Sequence, residues 1–550
     1  MRHQAPRYRR LAVIAIAAAA AVAMSGCAAT STPKSSSTML AVAREDTATF
    51  TKNFNPFSPN AVPMTQQAIY EPMFVYNPGK GNTVPWLATG WSIAKDGLSM
   101  TFILRDGVKW SDGKPFTAAD VAYTFNLQQK LFSGYSYVSS VTAVSKETVK
   151  FTLNRPYSPG LFEIGAQIIL PEHIWKNISD PTKDTNPNPV GTGPYTQVNS
   201  FQAQSFDLMP NRHYWNPSGQ KIAGVRVLAY AGNDGANRAL VGGDVMWGDQ
   251  YFPDIQKAFV AKDPAHNTYW FPPTGATWSL GFNTTKKPFD SADVRKALSM
   301  AIDHQQVVKI GESGYTHASD CTGLSDAYNT WRDKQVVASC SWTTQNVKAA
   351  GALLDKAGFP LGADGKRTFK NGSPFTFDIL VGATSTDLVS VSQIISKGLA
   401  AVGVTANVKS EDWGQVVQSY QSGDFSAGLM WSNLASTPYA FYSGTMGCST
   451  IAKGTAPASD NFPRFCNAEV DPLLAKFAAT QDPKAQTTVV NTLQSIFAKD
   501  APVIPLFPSP AWGAYNDKLF TGWPTKNDPY ATLSTRSPTT VLVLTSLKPR

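Results

Sequence analysis

The chain has 550 residues, a formal net charge of +9 and only 16% charged residues, below the usual ~25%. Four of the positive charges are Arg2, Arg7, Arg9 and Arg10, and no basic run follows them, so the charge does not read as a nucleic-acid-binding surface. Aromatic residues reach 11%, with 14 tryptophans, a surplus that serves a core, an interface or a groove for a flat, weakly charged ligand.

The first predicted element is a targeting segment. After the arginines, Leu11 to Met24 is apolar without a charge, and Ser25, Gly26 and Cys27 follow. The order basic, apolar, small is that of a secretion signal over residues 1–26, and the apolar run is shorter than the roughly 20 residues of a membrane-spanning helix. Met24-Ser25-Gly26-Cys27 resembles a bacterial lipobox, which implies that Cys27 is acylated and becomes the new N-terminus. An ordinary signal peptide is the alternative, and Arg9-Arg10 leaves twin-arginine export open beside the general route. Residues 27–39, reading CAATSTPKSSSTM, have the composition of a flexible tether. Two acyl chains on one cysteine anchor stably where a single chain binds marginally. No later stretch has the length or purity of a membrane span, so the protein is expected to sit on the outer face of the cytoplasmic membrane without crossing it.

The remaining chain is too long for one core. Its first half is rich in hairpin signals: turns at Asp96-Gly97, Asp106-Gly107 and Asp112-Gly113, and alternation at Leu98, Met100, Phe102 and Leu104 and again at Val149, Phe151 and Leu153. Thr117 and Asp120 predict a capping box opening a helix that runs to Lys130. Pro181 to Pro189 reads as a linker.

Beyond it, Ser291 predicts the cap of a helix with Val294, Ala297, Leu298, Ala301 and Ile302 on its inner stripe. Strands are predicted over Phe375–Val381, Val404–Val408 and Phe425–Trp431. Helices between them carry Leu388, Val391, Ile395, Leu399 and Val402, then Trp413, Val416, Val417 and Tyr420, stopping at Gly403 and Gly423. This βαβαβ order implies a largely parallel sheet covered by helices, an α/β fold. Val541–Leu544 reads as a C-terminal strand that pairs with an early domain.

With Cys27 assigned to lipid, Cys321, Cys340, Cys448 and Cys466 remain. An even remainder in an exported chain suggests two disulfides. Three pairings are open, and the spacing favours Cys321–Cys340 and Cys448–Cys466, each stabilising by roughly 3 kcal/mol on the chain-entropy estimate. No cysteine pair has zinc-knuckle spacing and the six histidines are scattered, so neither a metal nor any other cofactor is expected.

Several stretches together resemble one family. Trp86-Leu87-Ala88-Thr89-Gly90-Trp91 precedes Leu104-Arg105-Asp106-Gly107-Val108-Lys109-Trp110-Ser111-Asp112-Gly113-Lys114-Pro115-Phe116-Thr117. Gly191-Thr192-Gly193-Pro194-Tyr195, Leu280-Gly281-Phe282-Asn283-Thr284 and Pro288-Phe289-Asp290 with Val294-Arg295-Lys296-Ala297-Leu298 follow in order. They resemble the extracytoplasmic solute-binding proteins of family 5, the oligopeptide, dipeptide and nickel class that serve ABC importers. The resemblance implies a two-lobed periplasmic-binding-protein-like fold (type II, the large three-domain cluster) with a hinge and an interlobe cleft. It implies a discontinuous lobe I (40–58, 190–278 and 505–550), a domain inserted in it (59–189) and lobe II (279–504). It also implies a monomer that captures a small solute and docks on permease and ATPase subunits. Gly191 and Gly193 are expected to permit a tight turn where the chain returns to lobe I.

The same resemblance divides the ligand question. Peptide binders of the family place an aspartate three residues after a tryptophan ending a late strand, because a buried ammonium needs a counter-charge. Here Trp431-Ser432-Asn433-Leu434 puts leucine there, and no acid follows until Asp460. Met246 stands where the family often has another aspartate. A neutral oligosaccharide fits these departures, with Trp247, Trp278, Trp413 and Trp431 stacking on sugar faces and Asn433 exchanging hydrogen bonds. Asn53 and Asn55 (in Asn53-Phe54-Asn55-Pro56-Phe57) and Tyr439 (in Tyr439-Ala440-Phe441-Tyr442) lie in segments similar to those of the family's oligosaccharide branch. An oligopeptide-type solute remains the first reading because it is the family's commoner ligand.

An enzyme is not expected. Ser92-Ile93-Ala94-Lys95 and Ser459-Asp460-Asn461 match two elements of a serine penicillin-recognising enzyme, but the Lys-Thr-Gly element is absent and Ser92 precedes a turn. A peptide-pheromone receptor without transport needs the same closing cleft and stays open as a reading.

Overall fold

Leu40-Ala41-Val42-Ala43 has no polar side chain, as a strand covered on both faces requires. In the computed structural model, which describes residues 39–550 apart from Pro59, Ser133, Asn433, Lys453 and Thr455, it forms the strand Leu40–Arg44, buried throughout. This strand pairs in parallel with Val225–Ala231 and with Trp247–Gly248. Ser205–Pro210 and Tyr195–Gln202 extend one side of the sheet, and Ala514–Asn516 and Asn267–Tyr269 the other, all antiparallel. This is the sheet of lobe I.

Between its first strand and Tyr195 the chain builds a separate antiparallel sheet in the order Ala88–Ile93, Ser99–Leu104, Thr148–Leu153, Val138–Ala143. The turns expected at Gly97, Gly107 and Gly113 all place glycine at positive φ, where other residues are strained. The helix Ala118–Phe132 packs on this sheet. Its capping box forms: the Thr117 amide donates to Asp120 Oδ2 at 2.9 Å and the Ala119 amide to Thr117 Oγ1 at 3.3 Å. Two expectations for this region change. Pro181–Pro189 is no free linker. Asn55 Nδ2 donates to the Pro181 and Asp184 carbonyls, and buried Asn186 donates to the Phe54 carbonyl and the Tyr70 hydroxyl. Gly191 and Gly193 are needed for close approach rather than for a turn, since neither has positive φ. A Cβ at either would lie 1.9 Å from the Ile69 carbonyl oxygen or 2.2 Å from that of Ala68.

Two segments cross from lobe I to lobe II. Tyr269 leads through 270–272 into the strand Pro273–Phe282, and Val503–Pro510 returns through 511–513 to Ala514–Asn516. The crossings are tied to each other by the Trp270 amide on the Gly513 carbonyl (3.1 Å) and the Ala511 amide on the Pro272 carbonyl (2.7 Å). Both long strands run in the second sheet, so the boundaries expected at 278/279 and 504/505 fall inside them. That sheet has the order Thr405–Glu411, Thr376–Gly382, Ala427–Trp431, Pro273–Phe282, Val503–Pro510, with the first three mutually parallel as the βαβαβ pattern required.

The helix Ala292–Ala301 starts where Ser291 Oγ accepts from the Val294 amide, and it buries Val294, Ala297, Leu298 and Ala301. Ile302, expected on the same stripe, is buried just beyond it in extended conformation. Arg295, 1% exposed, donates to the carbonyls of Phe289, Asp500 and Ala501. Cys321–Cys340 and Cys448–Cys466 are disulfide-bonded. Val541–Leu544 is not a strand but part of the helix Thr540–Ser546, buried on every side. A short apolar run carries no period to separate the two states, and the late strand that joins the sheet of lobe I is Ala514–Asn516 instead.

Candidate functional site

In an open parallel sheet the binding crevice lies beyond the carboxyl ends of the strands, at the point where the strand order reverses. In lobe II that point is Thr376–Gly382, flanked by Thr405–Glu411 on one side and Ala427–Trp431 on the other. Its carboxyl ends deliver Gly382–Asp387, Glu411–Trp413 and Trp431. In lobe I the corresponding ends deliver Arg44–Asp46, Gly232–Asn233 and Asp249–Tyr251.

These two edges face each other. Gly232, at φ +101°, lies so close to lobe II that a Cβ would sit 3.3 Å from the Thr384 carbonyl oxygen. Asn233 Nδ2 is 3.3 Å from Thr386 Oγ1 and 3.4 Å from Asp387 Oδ1. Tyr251 Oη and Ser313 Oγ are 2.6 Å apart, and the Ile255 amide donates to Tyr315 Oη at 3.1 Å. The part of the chain that builds the separate antiparallel sheet meets lobe II as well: the Ser158 amide donates to the Ala478 carbonyl at 2.7 Å, and Gln486 Nε2 to Ser158 Oγ at 3.2 Å.

Three of the tryptophans singled out from the sequence gather at the lobe II edge. Trp278 and Trp431 are register partners with ring centroids 6.2 Å apart, and Trp413 lies 5.4 Å from Trp431. Phe462 adds a fourth ring at 5.8 Å. All four are partly exposed. Trp413 sits on Gly382, where a Cβ would lie 2.6 Å from its ring, so the glycine ending the strand makes room for the indole. Tyr439 stands apart from this group. Its ring packs edge-on against Tyr157, which follows the separate antiparallel sheet, at 5.8 Å and tilted on Phe477 at 5.5 Å, so it belongs to the contact of that part of the chain with lobe II.

Other expected ligand residues are used up by the fold. Trp247 is 0% exposed and its indole N–H donates to the Leu533 carbonyl at 2.7 Å, so it is a core residue. Asn55 is fully buried with its amide spent on the 181–184 segment. Asn53 donates to Ser58 Oγ and accepts from the Asn55 amide, closing its own loop. Asn433 and Cys27 lie outside the described residues.

The fold brings a carboxylate close to Trp431. Leu434 rests against Gly275 on the crossing strand. Asp460, remote in sequence, lines with Trp431, Ser432 and Phe462 a cavity of about 30 Å³, room for a water or two or for an ammonium group. Asp460 Oδ1 also accepts from the Asn461 amide at 3.0 Å.

A second group had no sequence signal beyond its individual charges. Arg536 reaches Glu45 Oε1 at 2.7 Å, Asp249 Oδ2 at 2.9 Å and Asp46 Oδ2 at 3.6 Å, and Arg44 reaches Asp46 Oδ2 at 2.7 Å. Burial raises the Glu45 carboxyl above its ordinary range. Burial acts the same way on Asp46, but the Arg44 and Arg536 guanidiniums outweigh it and hold that carboxyl well below. The Glu45 carbonyl accepts from the Gly232 amide at 3.0 Å, which puts this charged group at the interlobe boundary. Among the described residues no cluster of three or more metal-ligating side chains occurs and no helix is long and apolar enough to cross a membrane.

Two lobes on two crossing segments, with the carboxyl edges of their sheets opposed, define a solute-binding protein of the periplasmic-binding type. Residues 82–453 match the profile of the bacterial extracellular solute-binding proteins, family 5, and the chain belongs to that family. It is thus a solute-binding protein of an ABC import system, not an enzyme. Among curated relatives, the glutathione-binding protein GsiB of Salmonella typhimurium is 27% identical over 454 residues, covering 80% of this chain and 83% of that one. Among solved structures, a periplasmic oligopeptide-binding protein of Thermotoga maritima with bound mannohexaose is similar at a TM-score of 0.84 and 26% identity, covering 93% and 98% of the two chains. The oligopeptide-binding protein AppA of Bacillus subtilis, in complex with a nonapeptide, shares the fold at a TM-score of 0.78 and 21% identity, covering 93% and 99%.

Proposed function

We propose that this protein captures an oligopeptide-type solute between its lobes and delivers it to the permease. The observation that carries the peptide reading is the position of Asp460. It lies beside Trp431 and Ser432 in a cavity that fits an ammonium, where a buried amino terminus needs a counter-charge. The charged Arg536 group on the facing edge suits the other polar groups of a peptide, and the partly exposed indoles suit its side chains. The solute stabilises the closed form by touching both edges, which neither lobe alone can do.

Calorimetry with trialanine, N-acetyl-trialanine, glutathione and mannohexaose tests this reading. Free-amine peptides are expected to bind, and acetylation or Asp460→Asn to weaken binding at least about tenfold, equivalent to about 1.4 kcal/mol. Equal affinity for the acetylated peptide removes Asp460 from the site. Tight binding of mannohexaose alone supports the oligosaccharide reading, which the four neighbouring rings and Leu434 favour and which the Thermotoga relative, solved with that sugar, makes concrete.

We further infer that the mature protein is tethered by lipid at Cys27. Cys27→Ala is expected to move most of the protein from the membrane pellet to the soluble fraction on cell fractionation. Retention of the variant in the pellet overturns the anchor.

A further inference from the structure

At the contact between lobes two carboxyl groups are buried with no cation beside them. Glu312 is 1% exposed and Asp387 8% exposed, and among the described residues neither takes part in an ion pair. Glu312 Oε1 has no hydrogen-bond partner there. Among the described residues Asp387 meets the side-chain amide of Asn233, in lobe I, at 3.4 Å. Both belong to lobe II, on separate elements, and both bear electrostatically on Tyr251 of lobe I. Ser313, next to Glu312, makes the 2.6 Å contact with the Tyr251 hydroxyl.

Among the described residues Glu45 bears on Asp387 from across the boundary, and Tyr315, on the Glu312 segment, bears on Tyr251. Arg44 and Arg536 are engaged by Glu45, Asp46 and Asp249 and do not neutralise it. An isolated charge removed from water is costly and is relieved by taking a proton.

We propose that closure of the two lobes is coupled to proton uptake at Glu312 and Asp387, so that the closed form is favoured as the surroundings acidify. This rests on the two-lobe closure described above and is independent of which solute binds. Burial places the Asp387 carboxyl at about 6 and holds that of Glu312 well above its ordinary value, with Asp387 itself adding to the latter. Backbone amides at the start of the helix Thr386–Ala400 pull Asp387 the other way without overcoming burial. When the lobes part, both groups regain water and return toward the usual carboxylate range near ~4. A group whose value is raised in the closed form favours closure fully below its open-form value, and that advantage is lost as pH rises through the closed-form value. For Asp387 the window lies between the ordinary carboxylate range and about 6.

Small-angle X-ray scattering of the solute-free protein, analysed as a mixture of open and closed forms, tests the coupling without any ligand. Between about pH 7.5 and about pH 5 the closed-to-open ratio is expected to rise about tenfold or more. Glu312→Gln with Asp387→Asn removes these charges and is expected to abolish most of that rise, leaving at most the part that Glu45 at the same boundary supplies. Circular dichroism of the same samples separates closure from unfolding. A ratio that does not change with pH, or a change that the double variant retains in full, overturns the proposal. Binding of the probe solutes can succeed or fail separately.

Discussion

Trp247→Ala is expected to destabilise the protein by about 3–5 kcal/mol, the range for removing a large aromatic side chain from a core, while leaving the solute contacts of the folded fraction intact. The residue is 0% exposed. Its strand pairs with Val42 of the first strand and with Tyr515 near the C-terminus, so it joins strands from distant parts of the chain in one sheet. The ring packs edge-on against Trp523 at 5.5 Å, and Trp523 stacks on Tyr515 at 4.5 Å with an 8° interplanar angle. Truncation leaves a cavity among these rings and strips the Leu533 carbonyl of its 2.7 Å donor, a desolvated acceptor that adds its own penalty. Denaturant unfolding is expected to show a lower midpoint at unchanged slope. Calorimetry on the remaining native protein should return the wild-type affinity. Weaker binding at full stability contradicts the assignment and places Trp247 in the cleft.

Much of the architecture was readable because it is encoded locally. The caps at Thr117 and Ser291, the glycines at 97, 107, 113, 403 and 423 and the alternation of strand with amphipathic helix after Phe375 are decided by neighbours within a few residues. The family blocks around Arg105–Thr117 carried the rest of the fold. Val541–Leu544, four apolar residues, fits a buried strand and a buried helix equally, and only the packing decides for the helix.

The site was legible in part, and the boundary has a physical cause. Trp413 and Trp431 sit at or beside the ends of recognisable strands, so their approach follows from the sheet, whereas Trp278 lies inside Pro273–Phe282 and joins them only through its pairing with Trp431. Trp247 also belongs to a strand, yet only the tertiary packing of 515, 523 and 533 reveals that its ring is enclosed. Asn53 and Asn55 have the look of free hydrogen-bonding groups, but Asn55 is consumed by main-chain carbonyls distant in sequence and Asn53 by Ser58 and the Asn55 amide within its own loop. Asp460 and the Arg536 group went the other way: single charged residues without local pattern become site features only when the chain folds back. Proximity across hundreds of residues leaves no mark on composition or period.

Trp431→Ala is expected to weaken solute binding at least about tenfold, about 1.4 kcal/mol or more, with only a modest loss of stability. Its ring is partly exposed and has aromatic neighbours on three sides, Trp278, Trp413 and Phe462, so truncation opens a dent at a surface rather than a closed cavity. The same ring forms one wall of the cavity that Asp460 lines, and removing it lets water reach that carboxylate and weakens any charge-assisted contact there. Trp431→Phe keeps an aromatic face and is expected to recover most of the affinity. If the indole contributes stacking alone, peptide and sugar probes lose affinity alike. If it mainly shields Asp460, free-amine peptides lose more than their acetylated counterparts. Wild-type affinity in Trp431→Ala for every probe that binds removes this edge of lobe II from the binding surface, and with it the placement of the solute against Asp460.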